Sequence, residues 1–192
     1  TIHHNTACRT KELLNVKRKH ITINPNDNAF DKKTNRVIHI PADNSKTGRS
    51  RDIIAPIGLQ IERLIKWYRE MGLEVDKKSD RYVFPSLTYT TKNENIPTSD
   101  VAWTKRLKKV LEGADRDGVI DLNGRNISNY CARHHHITEA IQRGVDIYDI
   151  ALNCGTSLNY IEKTYSHITT LMRSRDITKG LGRQATLSRS CL

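Results

Sequence analysis

Asn129 to His167 reads NYCARHHHITEAIQRGVDIYDIALNCGTSLNYIEKTYSH. Ile127, Cys131, His134, Ile137 and Ile141 recur at helical intervals, which predicts a long helix over 126–143 ended by Gly144. Two shorter helices are expected over 146–152 and 158–164, with the turn Gly155-Thr156-Ser157 between them. Arg133 stands three residues after Tyr130, so a helix puts both on one face. Three histidines, His134 to His136, follow it, and Tyr165 comes nine residues after Thr156. A guanidinium, imidazoles and a phenol thus share a short run of helices.

Working outward, Thr6 to Val16 reads as a helix. Three β-rich runs follow: Lys19–Ile23, Arg36–Ile40 and Arg51–Ile57, separated by the turn-rich stretches Asn24–Asn35 and Asp43–Gly48. Together they predict a small antiparallel meander. Gly58 to Met71 carries Leu59, Ile61, Leu64, Ile65 and Tyr68 at helical spacing. Thr88 to Thr98 is polar and reads as a loop, after which Ser99-Asp100 can cap a basic helix reaching about Leu111. Glu112 to Asp121 reads as a linker, and the chain from Arg173 as a polar tail able to pack on a neighbour. The expected fold is mixed α+β, mostly helical, with a three-stranded antiparallel sheet at one edge. One domain is expected over 1–172, with the tail over 173–192.

The 192 residues suit one compact domain. Lys and Arg total 32 against 21 Asp and Glu, a net charge of +11 that favours a polyanionic partner. The positive charge is spread over Lys17–Lys19, Lys46–Arg51, Lys105–Lys109 and Arg173–Arg175. No strongly amphipathic basic helix points to a membrane surface, no apolar run is long enough to span a bilayer, and the N-terminus has no signal-peptide pattern. The four cysteines, Cys8, Cys131, Cys154 and Cys191, form no CxxC pair or disulfide framework, so a reducing, cytoplasmic setting is expected. The chain opens on Thr1 rather than Met, which suggests a piece of a longer protein.

Cleaving a phosphodiester without metal or cofactor requires bidentate cations on the phosphate oxygens, a nucleophile, and a proton for the leaving oxygen. The stretch from Asn129 to His167 resembles the C-terminal signature of the tyrosine recombinase (phage integrase) family: His-x-x-Arg-His, a Gly-containing turn with His or Trp, then the nucleophilic Tyr nine residues on. Arg133 matches the second catalytic arginine and Tyr165 the nucleophile. Ala7-Cys8-Arg9-Thr10-Lys11-Glu12-Leu13-Leu14 resembles the first-arginine motif, and Ser45-Lys46-Thr47-Gly48-Arg49 the turn that supplies the catalytic lysine. Tyr130 stands where the family has His, and Thr156 where it has His or Trp.

The resemblance implies that Arg9 and Arg133 clamp the scissile phosphate of double-stranded DNA and that Lys46 protonates the leaving 5′ oxygen. Tyr165 would form a 3′-phosphotyrosyl link. The Tyr130 and Thr156 hydroxyls could bond a phosphate oxygen, and His134 would orient near the phosphate or hold the helix of Arg133. No cofactor is implied. The partners would be DNA and further copies of the chain, as a homotetramer on two sites. An N-terminal DNA-gripping domain would lie ahead of Thr1.

Plainer readings exist for each residue. Arg9 and Glu12 suit a local ion pair, and Lys46 sits in a basic turn beside Arg49 and Arg51. Consecutive histidines on a helix point in different directions, so His134 to His136 cannot all bind one ion; no carboxylate or cysteine lies at a clear ligand spacing, and no metal site is expected. Two other functions fit: a DNA-binding homologue that has lost catalysis, or a type IB topoisomerase-like relaxing enzyme.

Overall fold

The computed structural model describes residues 1–73, 80–87 and 92–172. Among the described residues the chain forms two compact units: Thr1–His136 with Asn153–Gly155, and Ile137–Leu152 with Thr156–Met172. The mixed, mostly helical class and the three-stranded meander hold. The expected tail over 173–192, with Arg173–Arg175, lies outside the described residues.

The first unit begins with two short helices, α1 (Ile2–Thr6) and α2 (Thr10–Leu14). One helix was expected over 6–16; the chain instead breaks at Ala7, which adopts a left-handed φ of 47°. Such a conformation is uncommon for a residue with a Cβ and persists only where the surroundings enforce it. The run Lys19–Ile23 opens in a 3-10 turn, Arg18–His20, leaving only Ile21–Thr22 as β1. The adjoining basic run is not all surface: Arg18 is buried, while Lys17 and Lys19 pair with Asp80 at 3.4 and 2.6 Å.

Strands β2 (Arg36–Ile40) and β3 (Arg51–Ala55) complete the sheet in the order β1-β2-β3, all antiparallel. Ile38 faces Ile53 across the ladder, and the even–odd alternation of the strands puts Ile38, Ile40, Ile53 and Ala55 in the core. On the other face His39 meets Asp52, with Nδ1 and Oδ1 2.8 Å apart. The core-facing side packs with Cys8, Leu13, Val16, Ile57, Ile61 and Val83. Between β1 and β2 the turn-rich stretch hides a helix, α3 (Ala29–Thr34), capped by the Asn28 side chain accepting from the Asp31 N–H at 2.9 Å.

Helix α4 (Gly58–Glu70) follows the expected span and buries Ile61 and Tyr68; Leu59, expected on the same stripe, is exposed. Tyr68 donates to the Val83 carbonyl at 2.7 Å. The expected loop over 88–98 contains a strand: β4 (Pro85–Leu87) pairs antiparallel with β5 (Lys92–Pro97). Thr98, beyond the strand, donates through its N–H to Phe84 at 2.8 Å and through its hydroxyl to Pro85 at 2.9 Å. Helix α5 (Asp100–Arg116) starts where expected, with Ser99 accepting from the Ala102 N–H. It runs about one turn into the expected linker, to Arg116, because Gly113 costs a helix only about 1 kcal/mol and does not stop it.

Helix α6 (Asn129–Gln142) carries Arg133 and ends at Gly144, whose φ is 78°. Its inward positions are Arg133, Ile137, Ala140 and Ile141; Ile127 and Cys131, predicted on that stripe, are exposed. Helix α7 (Ile147–Cys154) ends in Gly155 at φ 65°. In the second unit, the Thr156 N–H closes α7 by donating to Ala151 O at 3.0 Å. Helix α8 (Leu158–Met172) buries Ile161 and Tyr165 and is longer than its amphipathic stretch predicts. No described helix is long and apolar enough to cross a membrane.

Candidate active site

The first unit gathers three guanidiniums at the turn Cys154-Gly155. Arg9 caps α2 and donates through Nη2 to Gly155 O at 2.9 Å. Arg133, 2 % exposed, donates through Nη1 to Cys154 O and to Ala7 O, both at 2.6 Å. The left-handed Ala7 therefore has a use: it turns its carbonyl onto Arg133. Arg51 leans over Gly155 so closely that a Cβ there would overlap its guanidinium. The position favours glycine, by both its positive φ and the closeness of the Arg51 guanidinium.

One carboxylate holds two of these cations. Glu12, its side chain 3 % exposed, accepts from Arg9 Nη1 at 2.9 Å and from Arg51 Nη2 at 2.7 Å. It also accepts the backbone N–H of Arg9 at 3.3 Å and that of Lys46 at 3.4 Å. Burial pushes the Glu12 carboxyl up, but Arg51 and Arg9 outweigh that and hold it below the usual carboxylate range. Three guanidiniums against one carboxylate leave a local positive excess, and Nε of both Arg51 and Arg133 is buried without a hydrogen-bond partner. Buried, under-satisfied donors of this kind suit an oxyanion.

The other predicted residues are placed as follows. Lys46 is exposed on the turn between β2 and β3, tied to the site through its backbone rather than its ammonium. Tyr130 is 45 % exposed, and its ring stands edge-on to His134 with centroids 4.6 Å apart. Burial, helped by Arg133, lowers the His134 pKa. Thr156 and Tyr165 belong to the second unit, where Tyr165 is 4 % exposed. Burial raises the thiols nearby: Cys8 to about 12, and Cys154 in the same direction.

Sequence reasoning passed over Arg51, treating it as part of a basic turn. The signal was present. Arg51 has the same parity along β3 as Ile53 and Ala55, which are buried, so its side chain starts on the core-facing side of the sheet.

No family model and no curated protein matches the sequence. Solved structures do match. The XerH site-specific recombinase bound to difH substrate aligns over 94% of this chain and 43% of its own, at TM-score 0.59 and 20% identity. The XerA recombinase aligns over 91% of this chain and 55% of its own, at TM-score 0.56 and 17% identity. The Tn1549 transposon integrase in complex with transposon right-end DNA aligns over 94% and 57%, at TM-score 0.61 and 12% identity. This chain spans about half the length of the structures it matches. Its fold is that of the tyrosine-recombinase catalytic domain.

Proposed function

We propose that this chain belongs to the tyrosine recombinases and cleaves and rejoins duplex DNA through Tyr165. The observation that carries the reading is the meeting of Arg9 and Arg133, remote in sequence, on the carbonyls of one two-residue turn. In this mechanism their guanidiniums, with Arg51 beside them, bind the non-bridging oxygens of the scissile phosphate. They stabilise the charge that grows in the pentacoordinate state, usually the largest catalytic contribution. The Tyr165 phenol releases its proton to solvent water and attacks phosphorus. The bond to the 5′ oxygen breaks, Lys46 supplies that oxygen's proton, and a 3′-phosphotyrosyl link remains. A 5′-hydroxyl from a partner strand reverses the step, so religation needs no nucleotide cofactor. Tyr130 and Thr156 serve as hydroxyl donors, since an ordinary phenol with a pKa of about 10 is a poor acid–base group near neutrality. His134 supports Arg133 from the same helix. The working assembly is a homotetramer on two DNA sites.

Tyr165 is buried, so attack requires its phenol to emerge when DNA is engaged. Nitration by tetranitromethane, mapped by peptide mass spectrometry, should therefore spare Tyr165 in the free chain and modify the exposed Tyr130 and Tyr148.

The direct test uses a pool of nicked duplexes of randomised sequence, in which cleavage traps the covalent complex. Wild type should form an SDS-stable protein–DNA adduct that is lost in Tyr165→Phe and in Arg133→Ala. Retention of duplexes with no adduct would instead make the chain a DNA-binding homologue without catalysis. Relaxation of supercoiled plasmid by the dilute monomer would favour a topoisomerase-like enzyme.

A further inference from the structure

The histidines the proposed reaction does not use form a second arrangement. His4 on α1 and His135 on α6 meet, with His4 Nε2 2.8 Å from His135 Nδ1. Their ring centroids are 5.0 Å apart.

A chain of hydrogen bonds sets which atom His4 presents. Asn5 donates through Nδ2 to Pro56 O at 3.1 Å, which turns its Oδ1 toward His4 Nδ1 at 3.0 Å. An amide oxygen only accepts, so Nδ1 carries the His4 proton. In the neutral ring Nε2 is then a lone pair aimed at His135. Metal-binding imidazoles are held this way, with one nitrogen anchored to an oxygen acceptor and the other directed at the ion.

Both rings border an open cavity of about 510 Å³, lined also by Trp103, Arg106 and Cys131, which gives an ion a route in and room for water ligands.

We propose that His4 and His135 bind a divalent transition-metal ion of the zinc class, with water available to fill the remaining positions. Imidazole donors select zinc, nickel, cobalt or copper over calcium and magnesium, which take oxygen ligands. Two nitrogens bound tetrahedrally to zinc at about 2.0–2.1 Å lie roughly 3.3 Å apart. The rings therefore need to part by about half an ångström from their present contact. His135 must move its proton from Nδ1 to Nε2, a change of tautomer with no net proton loss when both rings are neutral. The ion would pin α1 to α6. Those elements flank the Ala7 carbonyl and carry Arg133, so metal would brace the arginine cluster from outside it.

The test is calorimetric titration of the full chain with zinc chloride in mildly alkaline buffer, repeated with cobalt to read tetrahedral visible bands. Wild type should bind one ion, and zinc should raise its urea midpoint. His4→Ala and His135→Gln should each weaken binding by at least about tenfold. The double variant should lose both the binding and the zinc-dependent midpoint shift, while a folded far-UV spectrum shows that the chain is intact. Asn5→Leu, which removes the anchor on Nδ1, should also weaken binding by about tenfold. His39→Ala, in the surface pair His20–His39, should leave it unchanged. Absence of binding in wild type, binding that survives the double variant, or binding lost equally in His39→Ala would each overturn the proposal. None of these results depends on whether the chain cleaves DNA.

Discussion

At the residue scale, Glu12 is the most informative side chain. It is a buried carboxylate whose charge is matched by Arg9 and Arg51, so it is ionised in the fold and its removal leaves both cations short of a partner. Glu12→Gln should cost about 3 kcal/mol or more, the usual result of removing one member of a buried pair. The pH dependence has a definite sign. The folded carboxyl titrates below its unfolded value, so its stabilisation is present above about pH 4.3 and is lost as pH falls through the lower folded value. Urea midpoints measured from neutral to acid should show wild type losing stability over that window and Glu12→Gln losing less. Identical acid limbs in the two proteins would mean that Glu12 is not ionised in the fold.

At the scale of elements, two junctions make separate contributions to stability. The first is the turn after α7, where Gly155 combines a left-handed φ of 65° with the close approach of Arg51. Gly155→Ala should destabilise by about 1–3 kcal/mol through backbone strain and displacement of that guanidinium. Because the two effects share a contact, Gly155→Ala in an Arg51→Ala background should cost less than in wild type. Denaturant unfolding of the four proteins in the cycle measures this, and strict additivity would show that the contact carries no energy. The second junction is the start of α5, where Ser99 accepts from the Ala102 N–H at 3.2 Å. Ser99→Ala should lower stability by about 1 kcal/mol, and Ser99→Asp should keep it.

At the scale of the whole molecule, charge dominates. The chain carries +11, and Lys105, Arg106, Lys108 and Lys109 stand exposed along α5. If these side chains neutralise phosphates, affinity for duplex DNA should fall linearly on a log–log plot against salt, by about 0.9 in slope for each phosphate contacted. Reversing Lys105 and Lys109 to Glu should then weaken binding to all sequences alike and reduce the slope by about two. A slope unchanged by these reversals would place the contacting face elsewhere. Fluorescence anisotropy across a salt series reads both quantities.

The sequence by itself determined what short-range rules can settle. The alternation of Arg36–Ile40 and Arg51–Ala55 specified two strands with one buried face, and helical spacing located α4 and α6 within a few residues. It also carried the chemical vocabulary of the candidate site, since Arg9, Lys46, Tyr130, Arg133, His134, Thr156 and Tyr165 were legible as motif positions. Only the tertiary structure decided where the helix expected over 6–16 breaks, because the left-handed Ala7 answers to Arg133 on a distant helix and not to its neighbours. It alone brought Arg51 to Gly155 and His4 to His135, and it paired the polar run Lys92–Pro97 into a strand. Propensity and periodicity act over a few residues, whereas these contacts exist only once chain closure has set remote segments side by side. Arg51 and His4 escaped the sequence reading because nothing beside them in the chain marks the partner each one meets.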